Sequence, residues 1–245
     1  MDRYRTVRRG FVASDEEELS PAALHVLRRA AEEVSFLVDR AYPRDSAIGF
    51  VGDRHQLTER QRLLLARAVS GELARKKRQS RELDLKGLAG RTVLIDGFNL
   101  IITLEVALSG SPVVIGQDGT VRDLAGLRGT YHLIDKTPVA IDLVFDALEA
   151  HGAAGAHFLF DLPVSNSGRI SGLVRELGEP RHLEVDSDTI EGVDKKLSAS
   201  EYVVTSDSAI LDSCTSWFNL GAEIVERLED CWTIDLFGAN GTATL

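Results

Sequence analysis

Four aspartates of this sequence directly follow short apolar runs that are typical of β-strands: Asp96, Asp161, Asp186 and Asp207. Ligands of parallel α/β sheets bind outside the carboxyl ends of the strands, so these carboxylates are expected to converge. Two full charges about 4 Å apart repel by about 4 kcal/mol at an effective dielectric of about 20. A fold tolerates this only if protons or a divalent cation neutralise the group. An all-carboxylate site suits Mg²⁺ or Mn²⁺ better than zinc.

The simpler interpretation of any single one of these aspartates is a cap on the helix that follows its strand. For Asp96 and Asp207 together, the surrounding segments favour metal binding. The first strand runs into Asp96-Gly97-Phe98-Asn99, and a late strand runs into Thr205-Ser206-Asp207. A third acid, Asp194, stands near the start of a predicted helix, thirteen residues before Asp207.

These three segments resemble the PIN-like nuclease superfamily, particularly its NYN branch. In that branch the first strand ends in Asp-Gly-x-Asn, the late strand ends in Thr/Ser-x-Asp, and an acid begins a helix between them. The resemblance covers about residues 91 to 236. It implies hydrolysis of a phosphodiester assisted by Mg²⁺ or Mn²⁺, in which the ions hold the phosphate and lower the pKa of a bound water.

The resemblance also implies roles for individual residues. Asp96, Asp194 and Asp207 would be metal-binding carboxylates, and Asn99 would orient Asp96 or the water. Substrate contacts, through hydroxyl or backbone N–H groups on a phosphate oxygen, would come from Thr205 and Ser206.

A further acid of the family, between the first strand and the middle of the domain, has three candidates. Asp161 is preferred because it ends a strand, Asp123 is next, and Glu105 is expected to be exposed on a helix. Asp212 resembles an extra acid after the late motif, or it faces solvent on a helix.

The whole chain resembles an uncharacterised prokaryotic family, domain of unknown function 434, in which a helical half precedes a PIN-like half. We therefore expect a helical, basic module over residues 1–90 and an α/β domain over 91–245, with a mostly parallel sheet covered by helices on both faces.

Local signals agree with this division. Ser20-Pro21 begins a helix that ends by Pro43, and Thr58 with Gln61 forms a capping box. After residue 91, strands and helices alternate. Asp118-Gly119 marks a hairpin turn between apolar runs, and further strands are predicted near 182–186, 223–225 and 232–236.

Charge is divided unevenly along the chain. Residues 1–90 hold 18 Lys and Arg against 14 Asp and Glu, whereas residues 91–245 hold 10 against 24. An acidic site repels nucleic acid, so we expect the helical module to bind the phosphate backbone. The candidate contacts are Arg75, Lys76, Lys77 and Arg78, whose alternative is a solvated face. RNA, with single-stranded DNA as a second choice, is the substrate implied by the resemblance.

Composition and missing motifs exclude other classes. No apolar run approaches about 18 residues, the N-terminus lacks a secretory pattern, and two cysteines fit a reducing cytoplasm. Phe98 stands where a haloacid-dehalogenase-like phosphatase needs its second Asp. The histidines show no zinc-type pairing. The main alternative is a PIN-like module that binds RNA or protein without turnover, and the sequence leaves open whether the protein is a homo-oligomer.

Overall fold

The computed structural model describes residues 6–127 and 129–238 of the 245-residue chain. The first part is helical, as predicted, and consists of α1 Asp15–Glu18, α2 Pro21–Val38, α3 Arg44–Arg54, α4 Glu59–Ala68, α5 Glu72–Gln79 and a 3₁₀ turn at Leu85–Leu88. Both predicted caps form: the Ser20 hydroxyl accepts from the Ala23 N–H at 3.4 Å, and Thr58 and Gln61 make the reciprocal bonds of a capping box.

Helix α3 is missing from the sequence-based prediction, which places only a helix end at Pro43. In the structure Pro43 is the N-terminal cap of α3, and the helix buries Ala47, Ile48 and Val51. Its amphipathic pattern is weak because two glycines interrupt it. Packing against α2 and α4, rather than local propensity, therefore supports this helix.

The remainder alternates strands and helices, which confirms the predicted α/β class with a mostly parallel sheet. The elements are β1 Thr92–Asp96, α6 Gly97–Leu108, β2 Val113–Ile115, β3 Val121–Asp123, α7 Lys136–Ala150, β4 Gly155–Asp161, α8 Ser167–Gly178, β5 Glu184–Ile190, α9 Val193–Ser198, β6 Val203–Val204, α10 Ser208–Leu211, α11 Leu220–Glu226 and β7 Thr233–Asp235. The prediction of a strand at 223–225 is wrong, because this apolar run buries Leu220 and Ile224 as one face of α11.

Four parallel strands form the main sheet in the order β5-β4-β1-β6. The chain moves outward from β1 through β4 to β5 and then returns to the other side of β1 to form β6. The sheet therefore has a switch point between β1 and β6, where α/β sheets generally bind ligands. Ile95, Phe158 and Phe160 pack under α6 to α8, and Leu159 and Val203 pack under α9 and α10 on the opposite face.

Three further strands form a second sheet, in the order β3-β2-β7. The sequence pattern does not distinguish these strands from those of the main sheet. The β2–β3 hairpin is antiparallel and turns at Asp118-Gly119 as predicted, while β7 pairs parallel to β2. The inner face of this sheet joins the core of the helical part, where Val114, Trp232 and Ile234 pack with Leu27 and Leu65. The helical part and the small sheet thus share one core.

No helix within the described ranges is long and apolar enough to cross a membrane.

Candidate active site

The two motif aspartates lie on neighbouring strands at the switch point of the main sheet. Asp96 is the last residue of β1, and Asp207 follows β6, which pairs with β1 at Leu94 and Ile95. The Thr205 hydroxyl donates to Asp96 Oδ2 at 2.8 Å and so joins the two strand ends. The expected approach of the two segments is therefore present in the structure.

A cavity of 220 Å³ opens at these strand ends, and five aspartates line it: Asp96, Asp123, Asp161, Asp194 and Asp207. They come from five separate places in the chain, at the ends of β1, β3 and β4, the first turn of α9, and the turn before α10. The cavity therefore brings together the five aspartates that the sequence names as metal ligands, whereas Asp186 and Glu105 do not line it.

Glycine is required directly after Asp96. A Cβ on Gly97 would have three Phe160 ring carbons within 2.7 Å. Phe98 is 9% exposed, and its ring packs edge-on against Phe160 and Tyr131 at centroid distances of 5.0 and 5.2 Å. These contacts place the start of α6 directly on the sheet and so fix the direction of the Asp96 carboxylate.

Asn99 positions the turn after β6. Its Oδ1 accepts from the Ser206 N–H at 2.8 Å and from the Ser206 hydroxyl at 2.9 Å. The sequence predicts that Thr205 and Ser206 donate to a phosphate oxygen, but in the structure their hydroxyls have acceptors within the protein. Both residues are buried, and their hydroxyls donate to Asp96 and Asn99 instead. They therefore hold the site together from inside the protein.

Charge repulsion accompanies this arrangement. The pKa of Asp96 is raised to about 7, first by burial and then by the nearby carboxylates of Asp207 and Asp194, while the Thr205 hydrogen bond opposes this rise. The pKa of Asp194 is also raised, first by burial and then by Asp207 and Asp161. A divalent cation or protons would relieve this repulsion.

Asp207 serves its own helix as well as the cavity. Its Oδ1 accepts from the N–H groups of Ala209 and Ile210 at 2.7 and 3.2 Å and so caps α10. The capping interpretation and the cavity interpretation hold together for this residue. The cap fixes the rotation of the carboxylate that faces the cavity.

Two of the three candidates for the further acid line the cavity, namely Asp161 and Asp123. The expectation that Glu105 is exposed is wrong. Glu105 is fully buried, 3.1 Å from Arg9, and it accepts from the hydroxyls of Tyr131 and Thr137. These partners hold it in the core of the α/β part.

The cavity carboxylates are spaced more widely than three direct ligands of one ion. Among the described residues, no three cavity carboxylates lie within 4.8 Å of one another. Mg²⁺ commonly keeps several waters and takes only one or two protein carboxylates together with substrate phosphates. The all-carboxylate donor set is of the kind that Mg²⁺ or Mn²⁺ prefers, whereas the spacing by itself does not assemble three direct ligands.

A second group of potential ligands lies on the exposed face of β4 and β5. His157, Asp186 and Asp188 have ligand atoms within 4.8 Å of one another, and His157 Nε2 lies 3.0 Å from Asp188 Oδ2. The sequence-based prediction that Asp186 ends a strand is wrong, because β5 continues beyond it to Ile190. Sequence spacing does not show this group, since the pairing of β4 with β5 creates it.

The basic run at residues 75–78 offers fewer free side chains for phosphate binding than the sequence predicts. Arg78 is buried and pairs with Asp118 at 2.5 Å and Asp212 at 2.6 Å, so it is not a surface contact for phosphate. Lys76 pairs with Glu72, and Lys77 is exposed on α5. Arg75 lines a separate cavity of 310 Å³ beside Asp118. None of these four side chains lines the aspartate cavity.

Sequence reasoning missed Arg67, the one cation that lines the aspartate cavity among residues 6–127 and 129–238. It lies in the last turn of α4, in the helical part of the chain. Its position gives no signal in the sequence, because only the packing of α4 against the small sheet brings it to the strand ends.

Two family models match this chain. The model described as "Domain of unknown function (DUF5616)" matches residues 85–223, and "Protein of unknown function (DUF434)" matches residues 26–81. A protein of Methanocaldococcus jannaschii, "Uncharacterized protein MJ0935", is 30% identical over 205 residues, which are 83% of this chain and 98% of the relative. No solved structure matches the chain.

Proposed function

The chain belongs to the family described as "Domain of unknown function (DUF5616)", and we propose that this member is a PIN-like, metal-dependent nuclease that hydrolyses phosphodiester bonds in RNA. The observation that carries the proposal is the convergence of five aspartates on one 220 Å³ cavity at the switch point of a parallel sheet. Helix capping alone would not require five carboxylates from five places in the chain to share one cavity.

The residues of the site have distinct tasks in this proposal. Asp96, Asp194 and Asp207 bind the divalent ion, Mg²⁺ or Mn²⁺, and Asp161 and Asp123 complete the negative wall. The bond from Thr205 orients Asp96, and Asn99 holds the turn that carries Asp207. The chemistry supplied by the bound ion is Lewis-acid polarisation of the phosphate and neutralisation of the charge that develops on its oxygens.

The first test measures metal binding through stability. Mn²⁺ at about 100 times its dissociation constant should stabilise the wild-type protein by about 2.7 kcal/mol. This stabilisation should disappear in Asp96→Asn and Asp207→Asn. Asp230→Asn is the matched control, because Asp230 is exposed and its positive φ of 58° suits asparagine. Asp186→Asn separates the cavity from the exposed group on β4 and β5.

The second test measures cleavage of fluorescently labelled single-stranded RNA and DNA in Mn²⁺. Cleavage should occur with wild-type protein, Asp230→Asn and Asp186→Asn, and should fall to background in Asp96→Asn and Asp207→Asn. Absence of metal-stimulated cleavage by the wild-type protein would reject the nuclease and favour a binding module without turnover. Loss of metal binding in Asp186→Asn alone would move the metal to the sheet face.

A further inference from the structure

The aspartate cavity is one end of a longer cleft between the helical part and the α/β part. It shares Arg67, Asn99, Asp123 and Asp207 with a neighbouring cavity of 420 Å³. That cavity in turn shares Arg44, Asp45, Ser208 and Ala209 with a third cavity of 450 Å³. We call this series the module cleft. One of its walls is formed by α3 and α4, and the other by the turn after β6 and α10.

The arginines of the module cleft fall into two classes. Arg78 and Arg122 are both 5% exposed and are bound to Asp118, so their charges are already balanced. Arg67 differs. Its Nε is buried and lacks a hydrogen-bond partner, and its guanidinium makes no ion pair with any carboxylate in residues 6–127 and 129–238, although five aspartates line the same cavity. Arg67 is thus held among carboxylates without contacting them.

Arg44 is the second available cation, at the junction of the two larger cavities. Its side chain is 44% exposed, and its contact with Asp45 is long, at 3.8 Å, to a carboxylate that is itself 93% exposed. Water screens such a pair strongly, so this contact commits little of the Arg44 charge. Arg67 lines the aspartate cavity and Arg44 lies at the junction of the two larger cavities, so the two available positive charges follow one another along the module cleft.

Resting on the proposed nuclease function, we propose that a single-stranded polynucleotide follows the module cleft, with Arg67 bound to the phosphate next to the reacting one and Arg44 bound to a phosphate further along. A cavity walled by five aspartates repels a polyanion except at a bound ion. The flanking phosphates therefore need cations on the opposite wall, and the helical part supplies them. A ligand with one phosphate would engage Arg67 alone, whereas a strand engages both arginines.

The salt dependence of binding tests this proposal, because it counts the phosphate contacts. The probes are fluorescein-labelled oligouridylate and oligothymidylate of about 12 nucleotides. Binding to the full chain is followed by fluorescence anisotropy from low to moderate monovalent salt at a fixed concentration of Ca²⁺, which occupies the carboxylate site without the Mn²⁺ used for cleavage, and gel electrophoresis checks that each probe stays intact. For a single strand, each lost contact makes the plot of log K against log salt shallower by about 0.7.

Arg67→Gln and Arg44→Gln should each reduce the slope by about 0.7, and the double variant by about 1.4. Arg67→Lys keeps the positive charge and should therefore keep the slope. If Arg67 had only a structural role, lysine would not be expected to restore what glutamine removes. Arg29→Gln is the matched control, because Arg29 is an exposed arginine on α2 outside the module cleft. Thermal unfolding of each variant checks that the fold is retained.

An unchanged slope in Arg67→Gln and Arg44→Gln, an equal change in Arg29→Gln, or no salt-dependent binding by the wild-type protein would overturn the proposal. A reduced slope in Arg67→Gln alone would indicate a ligand with one phosphate and would also overturn it.

If cleavage depends on Asp96 and Asp207 while these slopes do not change, the proposed nuclease activity stands without the proposed strand path along the module cleft. If the slopes change but the wild-type protein does not cleave, the cleft stands without the nuclease. The two proposals therefore fail separately.

Discussion

Asp118 holds the helical part to the hairpin between β2 and β3, and its removal should cost much of the stability of the fold. Its carboxylate accepts from Arg78 at 2.5 Å and from Arg122 at 2.6 Å, and it is 1% exposed. Asp118→Asn would leave the buried Arg122 guanidinium opposite a neutral amide, whereas Arg78 would keep its pair with Asp212. Breaking a buried pair in this way costs about 3–5 kcal/mol. In a chain of this size that corresponds to a melting temperature lower by about 10 °C.

The effect should depend on pH in a definite direction. Burial alone would raise the pKa of Asp118, but the hydrogen bonds and charge of Arg122, with help from Thr120 and Arg78, hold that pKa well below its usual range. A carboxylate with a depressed folded-state pKa contributes stability that is fully present above its unfolded pKa of about 3.9. The stability gap between wild type and Asp118→Asn should therefore be constant at neutral pH and shrink as the pH falls below about 4.

Urea unfolding at several pH values measures this gap. Asp53→Asn is the control, because Asp53 also pairs with an arginine, Arg62, but its side chain is 81% exposed. The control should lose far less stability, since exposed pairs contribute little. A loss in Asp118→Asn no larger than that in Asp53→Asn, or a gap that stays constant into strong acid, would refute the reasoning.

Two further predictions concern packing. Gly97→Ala should destabilise the protein by about 1–3 kcal/mol in urea unfolding, because the new methyl group would collide with the Phe160 ring; an unchanged midpoint would contradict the close approach. Burial raises the pKa of the Cys231 thiol to about 11, so at pH 8 iodoacetamide should label the native thiol about 100-fold more slowly than a free cysteine. Labelling followed by mass spectrometry tests this, and rapid reaction without denaturant would show that the thiol is accessible.

The sequence predicts well those features that neighbouring residues determine. The helix starts at Ser20 and Thr58 depend on caps within three residues, and the hairpin depends on Asp118-Gly119. The strand-end position of Asp96 follows from one short apolar run. These signals suffice to place Asp96 beside the other cavity acids once the strands are taken as neighbours.

The rest depends on contacts between distant residues. The charges of Glu105 and Arg78 predict exposure, yet both are buried because partners far along the chain, Arg9 and Asp212, balance them. The environment of Arg67 depends on how α4 packs. Likewise, no local pattern separates the small sheet from the large one, since β7 joins β2 across more than a hundred residues.

The core shared by the helical part and the small sheet has a consequence for synthesis on the ribosome. Trp232, Ile234 and Leu236 complete the packing around Leu27 and Leu65. At about 5–20 residues per second, the helices emerge roughly 10 to 30 seconds before that last strand. During this interval the part of this core that Trp232, Ile234 and Leu236 cover remains exposed in the nascent chain.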